Sequence, residues 1–171
     1  VQGFARDQRV GVGWHGGHCF TCESCTRGDF INCQNAQICG ISYDGGYAEY
    51  LVAPREAIAT VPEELKSEDA APLLCAGITV FNALRNSEAQ AGDLVAVQGV
   101  GGLGHLAIQY AARMGYKVVA LSTSDSKEEL AKSLGAHAFI NVKEKNPAQE
   151  LQKLGGAKVI LATAPKGEAI S

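Results

Sequence analysis

The sequence predicts an α/β protein in which a Rossmann-like parallel β-sheet follows part of a β-rich domain with a metal-binding lobe. Two observations support this fold class. From residue 93 onward, short apolar runs alternate with amphipathic segments, which is the pattern of consecutive βαβ units. Before that point, four cysteines fall within fifteen residues, among glycines and polar residues that favour tight loops.

The N-terminal part is predicted to consist of loops and short strands up to about residue 60. Candidate strands are Val10–Trp14 and Tyr47–Ala53, the second of which follows a turn-forming Asp-Gly-Gly sequence. A polar connection, residues 63–69, leads into a predicted helix over Ala70–Arg85, which has a proline near its start and good helix formers beyond it.

The C-terminal part is predicted to contain about four buried strands with helices between them. Leu103, Leu106, Ala107, Tyr110, Ala111 and Met114 lie on one helical face, and Gly115 ends that helix. Ser126 and Glu129 have the spacing of a capping box for the next helix, and a short third helix follows Pro147. The four predicted strands are 94–97, 117–121, 138–142 and 158–162.

The cysteine cluster has the spacing C-x2-C-x2-C-x7-C and comprises Cys19, Cys22, Cys25 and Cys33. Such short spacings favour four thiolates that converge on one zinc ion, and four Cys ligands make a closed, structural site. Disulfide bonds and an iron–sulfur cluster remain alternatives. Cys39 has no spacing partner and is predicted to be a small buried residue, and spacing alone gives the same interpretation of Cys75.

A glycine-rich turn follows the strand at 94–97 and opens the amphipathic helix, which is the context that a dinucleotide-binding fingerprint requires. The first glycine permits the tight turn, the second lets the backbone approach a pyrophosphate, and the third lets the helix pack closely on the strand. The helix N-terminus offers unpaired N–H groups to the phosphates. The candidate cofactor-binding residues of this turn are Gly99, Gly101, Gly102, Leu103 and Gly104.

The end of the second predicted strand indicates which cofactor is bound. An acidic residue there would bind the ribose of NAD, but this strand ends in Ser122, Thr123 and Ser124, with Lys127 nearby. Hydroxyl groups and a lysine suit a 2′-phosphate, so the sequence favours NADP. Asp125 keeps NAD as the alternative.

Composition excludes several other classes of partner. The 171 residues carry 15 basic and 18 acidic side chains, a net charge of −3, which gives no electrostatic basis for binding nucleic acid or an anionic membrane surface. No apolar run is long enough to span a bilayer. We therefore expect a cytoplasmic globular protein that acts on small molecules.

Taken together, these motifs resemble those of the medium-chain, zinc-dependent alcohol dehydrogenase family, and the serine-rich strand end is similar to its NADP-preferring cinnamyl-alcohol-type branch. The resemblance implies a GroES-like catalytic domain over residues 1–76 and a dinucleotide-binding domain over residues 77–171. It also implies that Cys75 binds a second, catalytic zinc and that Thr79 lies beside the nicotinamide. The resemblance rests on the cysteine cluster, the glycine-rich turn and the segments Gly11–Trp14, Gly45–Tyr50 and Leu74–Thr79.

The resemblance further implies that the chain is a middle segment of a longer protein. Family members are about twice as long, and they complete the catalytic zinc site with an earlier cysteine and a histidine that this chain lacks; none of its four histidines lies in a matching context. The expected function of the whole is hydride transfer between an alcohol or aldehyde and NADP, in a homo-oligomer, with this segment alone inactive. The alternatives are a non-catalytic nucleotide- and zinc-binding module and a zinc-lobe interaction protein.

Overall fold

The structure, a computed structural model, describes residues 3–164, and the chain forms two compact units that meet in sequence at Cys75 and Ala76. The first unit contains two small antiparallel sheets, each of two strands. The strand pairs are β1 (Val10–Val12) with β4 (Ile58–Thr60), and β2 (His15–Gly17) with β3 (Gln37–Ile38). A short helix, α1 (Glu23–Thr26), lies in the loop between β2 and β3, and α2 (Ser67–Pro72) follows β4.

Two strand predictions in this unit need correction. The first predicted strand is shorter than expected, because β1 ends at Val12 and a separate strand begins at His15. The strand predicted over Tyr47–Ala53 is wrong: this segment is irregular, and Tyr47, Tyr50 and Val52 are almost fully exposed. Its alternating apolar residues are suited to one face of a sheet, but no described strand pairs with it.

The helix predicted over Ala70–Arg85 is three pieces rather than one. It starts three residues early, with α2, passes through a wider π-helical turn at Leu73–Gly77, and resumes as α3 (Ile78–Arg85). Pro72 lies at the end of α2, where its missing N–H and its ring interrupt the regular ladder of hydrogen bonds. A local π turn absorbs this interruption without ending the helical path.

The second unit is a four-stranded, fully parallel sheet with a helix after each of its first three strands, which confirms the predicted α/β class. The elements are β5 (Leu94–Gln98), α4 (Gly102–Arg113), β6 (Lys117–Ser122), α5 (Glu128–Ser133), β7 (Ala138–Asn141), α6 (Pro147–Lys153) and β8 (Val159–Ala162). The strand order is β7-β6-β5-β8, so the first strand of the unit is central and the chain reverses direction across the sheet between β7 and β8.

The two faces of this sheet carry separate apolar clusters. On one face, Val95, Val97 and Val118 are fully buried against α4, which contributes Ile108 and Ala111. On the other face, side chains of the intervening strand positions pack with Leu151 of α6. Burial on both faces fixes the strands in register, and this rigid sheet positions the turns that follow their C-terminal ends.

Candidate metal lobe and nucleotide-binding turn

The four clustered cysteines converge as the sequence predicts. Their ligand atoms all lie within 4.8 Å of one another, with Sγ–Sγ distances of 3.7 Å for Cys19–Cys33 and 3.9 Å for Cys22–Cys33. Four sulfurs bound tetrahedrally at roughly 2.3 Å from one zinc ion would be about 3.8 Å apart. The cluster therefore has the size of a site for a single tetrahedral ion, and it is too small for a cluster of several iron and sulfide atoms.

The backbone around the cluster is arranged to receive thiolates. The Cys22 amide donates to Sγ of Cys19 at 3.4 Å. Sγ of Cys33 accepts from two amides, that of Asn35 at 3.3 Å and that of Cys19 at 3.4 Å. All six cysteines of the chain are free thiols, so disulfide bonds do not form the lobe. These four residues could hold a zinc ion with no open coordination position.

The thiols of the metal-free lobe differ in acidity. A hydrogen bond from the Thr21 hydroxyl, at 3.5 Å, is the largest of several that lower the pKa of Cys19 to about 5. A backbone hydrogen bond from Cys25 lowers the pKa of Cys22 as well. Burial raises the pKa of the Cys25 thiol to about 12. The surroundings of Cys19 therefore favour the thiolate, whereas those of Cys25 favour the thiol, whose proton a bound cation would displace.

The two remaining cysteines lie outside this cluster. Cys39 is half-buried rather than fully buried, and its amide donates to the Trp14 carbonyl oxygen at 3.3 Å. Cys75 lies in the π-helical turn and is exposed, in contrast to the buried position that spacing alone predicts. Within residues 3–164, Cys75 belongs to no group of three potential metal ligands. Thr79 is also exposed, in the first turn of α3.

The turn between β5 and α4 is held in shape by its first and last glycines. Gly99 has a φ of +95°, which favours glycine, and a side chain on it would meet Thr163 and Ala164. Gly104 is buried, and a β-carbon there would overlap the carbonyl oxygen of Gly99. Internal packing alone thus requires glycine at these two positions.

The middle of the same turn has no such internal constraint. Gly101 and Gly102 have no positive φ, and a β-carbon on either would have no protein atom within 4 Å apart from the adjoining backbone. Both are exposed, as is Leu103. The Gly99 amide donates to Leu121 O at 2.8 Å, and the first helical hydrogen bond runs from His105 N to Gly101 O, also at 2.8 Å. The amides of the first turn of α4 therefore have no acceptor within the helix and can bind an anion. Glycine is required here only if another molecule approaches the backbone.

The position of this turn in the sheet is the usual one for a nucleotide. Gly99 follows β5, and Thr163 follows β8 on the neighbouring strand. The chain changes direction across the sheet between these strands, and ligands of open α/β sheets bind in the crevice at that point, outside the carboxyl ends of the strands.

Part of the serine-rich segment after β6 makes hydrogen bonds within the protein. Ser122 is half-buried at the end of β6, and Thr123 and Lys127 are exposed. The predicted capping box is wrong: Ser124, not Ser126, caps the next turn by accepting from the Ser126 amide at 3.3 Å. The cause is a short 3-10 turn, residues 125–127, that delays the start of α5 to Glu128.

Asp125 has a partner that sequence reasoning did not identify. Its Oδ1 accepts a hydrogen bond from Nδ2 of Asn141 at 3.0 Å, and Asn141 is a buried polar residue at the end of β7. The signal that could have revealed Asn141 is a polar residue ending an otherwise apolar strand, beside the segment that follows β6.

No helix within residues 3–164 combines the length and the apolar character needed to cross a bilayer.

Comparison with known proteins places both units in one family. Residues 1–63 match the alcohol dehydrogenase GroES-like domain, and residues 102–171 match the zinc-binding dehydrogenase family. The chain is 53% identical over 163 residues to an alcohol dehydrogenase, patD, of Penicillium expansum, and this match covers 95% of the chain and 48% of that protein. The chain thus spans about half the length of the curated relatives it matches.

Two solved structures are similar in fold. A cinnamyl alcohol dehydrogenase of Sorghum bicolor superposes with a TM-score of 0.83 at 33% identity, over 98% of this chain and 50% of that one. A Helicobacter pylori structure, described as CAD complexed with NADP(H), gives a TM-score of 0.76 at 31% identity, over 82% of this chain and 43% of that one.

Proposed function

Because the chain belongs to the medium-chain, zinc-dependent alcohol dehydrogenase family, we propose that the protein carrying it oxidises an alcohol, or reduces the aldehyde, with NADP as hydride carrier. The observation that carries this proposal is the open middle of the glycine-rich turn, where Gly101 and Gly102 leave space for a ligand beside the backbone at the start of α4. By analogy with the family, we also propose a homo-oligomeric, cytoplasmic protein.

The residues of this chain have separate tasks in that function. The amides at the start of α4 and the bare backbone of Gly101 bind the pyrophosphate, because unpaired N–H groups attract phosphate oxygens. The four clustered cysteines hold a structural zinc, which stabilises the lobe and takes no part in the reaction. The nicotinamide ring, when bound, supplies the hydride acceptor.

The catalytic metal does not fit the described residues by themselves. Cys75 offers one exposed sulfur, and a catalytic zinc needs three protein ligands and one open position. We therefore propose that Cys75 becomes a ligand only in the complete protein, and that the 171-residue chain alone does not oxidise alcohols. Thr79, also exposed, would face the nicotinamide there.

The role proposed for Cys75 is tested by comparing the isolated chain with the protein made from its natural gene. We expect about one zinc and no alcohol oxidation for the isolated chain, and about two zincs and oxidation of cinnamyl or benzyl alcohol for the natural protein. Enzymatic rates in the isolated chain would contradict the assignment of Cys75. One zinc and no activity in the natural protein would indicate a non-catalytic module instead.

The preference for NADP rests on the end of β6. Ser122, Thr123 and Lys127 offer two hydroxyl groups and one positive charge, and the Asp125 carboxylate is already bound by Asn141. The Helicobacter pylori relative was solved with NADP(H), which supports the proposal.

Ser122→Asp in the natural protein should reverse the preference, because a carboxylate repels the 2′-phosphate of NADP and accepts a hydrogen bond from the ribose of NAD. The measurement is the ratio of dissociation constants for the two cofactors. Ser133→Asp is the matched control, since its hydroxyl only donates to Leu130 O within α5. An unchanged ratio in Ser122→Asp would show that this residue does not face the ribose.

A further inference from the structure

Asn141 has a fixed orientation at the end of β7. Its Oδ1 accepts from the amide of Lys143 at 3.1 Å, and its Nδ2 donates to Oδ1 of Asp125 at 3.0 Å. A backbone amide can only donate, so the first contact identifies the oxygen and directs the NH₂ group at the carboxylate. Asn141 is only 7% exposed, so its amide is shielded from water and needs a protein acceptor, which the exposed Asp125 side chain supplies.

The hydrogen bond also determines on which side of β6 the Asp125 carboxylate lies. Asn141 is the register partner of Ser122, and β7 lies on one edge of β6 while β5 lies on the other. The carboxylate bound to Asn141 is therefore drawn toward β7. The glycine-rich turn follows β5, on the opposite side of β6.

We propose that Asn141 is a positioning residue for cofactor selectivity, which holds the Asp125 carboxylate against β7 and away from the 2′-position of the bound nucleotide. This inference rests on the proposed function, in which the end of β6 faces the adenosine ribose. A carboxylate free to swing toward that ribose would repel a 2′-phosphate and accept a hydrogen bond from a 2′-hydroxyl. The chain thus tolerates an acidic residue three positions after Ser122 while it binds NADP.

The experiment measures dissociation constants for NADP and NAD by isothermal titration calorimetry of the protein made from its natural gene. The selectivity ratio is the constant for NAD divided by that for NADP. Asn141→Ala should lower this ratio by about fivefold, since releasing one carboxylate near a phosphate weakens one cofactor and strengthens the other. The same substitution in an Asp125→Asn background should leave the ratio unchanged, because the released side chain then carries no charge.

Two further variants test whether the change in the selectivity ratio arises only from a loss of structure. Asn146→Ala removes the N-cap of α6, whose Oδ1 accepts from the Gln149 amide at 3.1 Å, and should leave the ratio unchanged. Asn141→Asp preserves the size of the side chain and repels Asp125, so it should lower the ratio even if the alanine variant folds poorly.

Several results would overturn the inference. These are equal weakening of both cofactors by Asn141→Ala and Asn141→Asp, an unchanged ratio, or the same shift in the Asp125→Asn background. The unsubstituted protein tests the proposed function separately. If it binds neither cofactor, both proposals are wrong. If it binds both but prefers NAD, only the NADP preference is wrong, and the shift on substitution still decides the role of Asn141.

Discussion

The hydroxyl of Thr163 is 3.1 Å from the carbonyl oxygen of Gly99, to which it donates a hydrogen bond shared with the carbonyl of Gln98 at 2.9 Å. The Thr163 amide also donates to Gln98 O, at 2.9 Å. The residue after β8 is thus joined by two hydrogen bonds to the last residue of β5 and by one to the first residue of the turn. This connection sets the shape of the nucleotide-binding turn from the neighbouring strand rather than from the turn itself.

We expect Thr163→Val to loosen this turn without changing its volume. Loss of one hydroxyl donor should lower the free energy of unfolding by about 1 kcal/mol. It should also weaken nucleotide binding, because the amides of α4 are then less well oriented toward the phosphates. Thr163→Ser, which keeps the hydroxyl, is the control in calorimetric titration and thermal unfolding. Equal affinity of the valine and serine variants would contradict this role.

The glycines of the turn should respond differently to alanine. In Gly104→Ala the new methyl group overlaps the Gly99 carbonyl, and we expect a loss of about 1–3 kcal/mol in stability. In Gly101→Ala the methyl group meets no protein atom beyond the adjoining residues, so stability should stay within about 0.5 kcal/mol of the parent.

Nucleotide titration separates these two variants further. Gly101→Ala should bind NADP much more weakly although it folds normally, since the methyl group occupies the place of the pyrophosphate. Full affinity in a stable Gly101→Ala protein would mean that no ligand approaches this backbone.

Replacing Cys25 by serine should release the zinc of the lobe. A serine hydroxyl is not ionised at neutral pH and cannot replace a thiolate ligand, so the remaining three sulfurs lose most of their affinity. The measurement is metal content by atomic emission, with Cys39→Ser as the control outside the cluster. The sheet of the second unit should remain folded in both variants, because its apolar clusters do not involve these cysteines. Full zinc content in Cys25→Ser would contradict the proposed ligand set.

Thr21→Val should raise the pKa of Cys19, since the Thr21 hydroxyl is the largest cause of its depression. The folded pKa of about 5 lies below the ordinary value of 9.0. The hydrogen bonds to this thiolate therefore stabilise the metal-free lobe fully above pH 9.0, and the effect is lost as pH falls toward 5.

The pH dependence of iodoacetamide alkylation of the zinc-free protein measures this pKa. Thr26→Val is the matched control, because that hydroxyl donates to Glu23 O rather than to a sulfur. The Cys19 titration should move to higher pH in Thr21→Val and stay in place in Thr26→Val. The same midpoint in both variants would show that Thr21 does not act on Cys19.

The sequence predicted the features whose physical cause is local. The alternation of buried strands and amphipathic helices from residue 93 onward predicted the four-stranded parallel sheet, and the cysteine spacing predicted the convergence of four sulfurs. Each of these depends on a pattern that recurs within a few residues.

The features it missed depend on residues far apart in the chain. Tyr47–Ala53 has the alternation of a strand, but a strand also needs a partner, and no described segment supplies one. The Asn141–Asp125 and Thr163–Gly99 contacts join the ends of neighbouring strands, so they depend on strand order, which local patterns do not specify. The displaced cap at Ser124 arises from one extra 3-10 turn, which propensities alone do not distinguish from an early helix start.

The position of β8 beside β5 imposes an order of events during synthesis. Val95 pairs with Val159, so the ribosome must add 64 residues after Val95 before β8, the second neighbouring strand of β5, can pair with it. At typical elongation rates this interval is roughly 3 to 13 seconds, much longer than helix or hairpin formation. One edge of β5 stays unprotected for that time, and the glycine-rich turn forms before Thr163 is available to hold it. A nascent-chain experiment should therefore find the βαβ segment from β5 to β7 compact before it can bind a nucleotide.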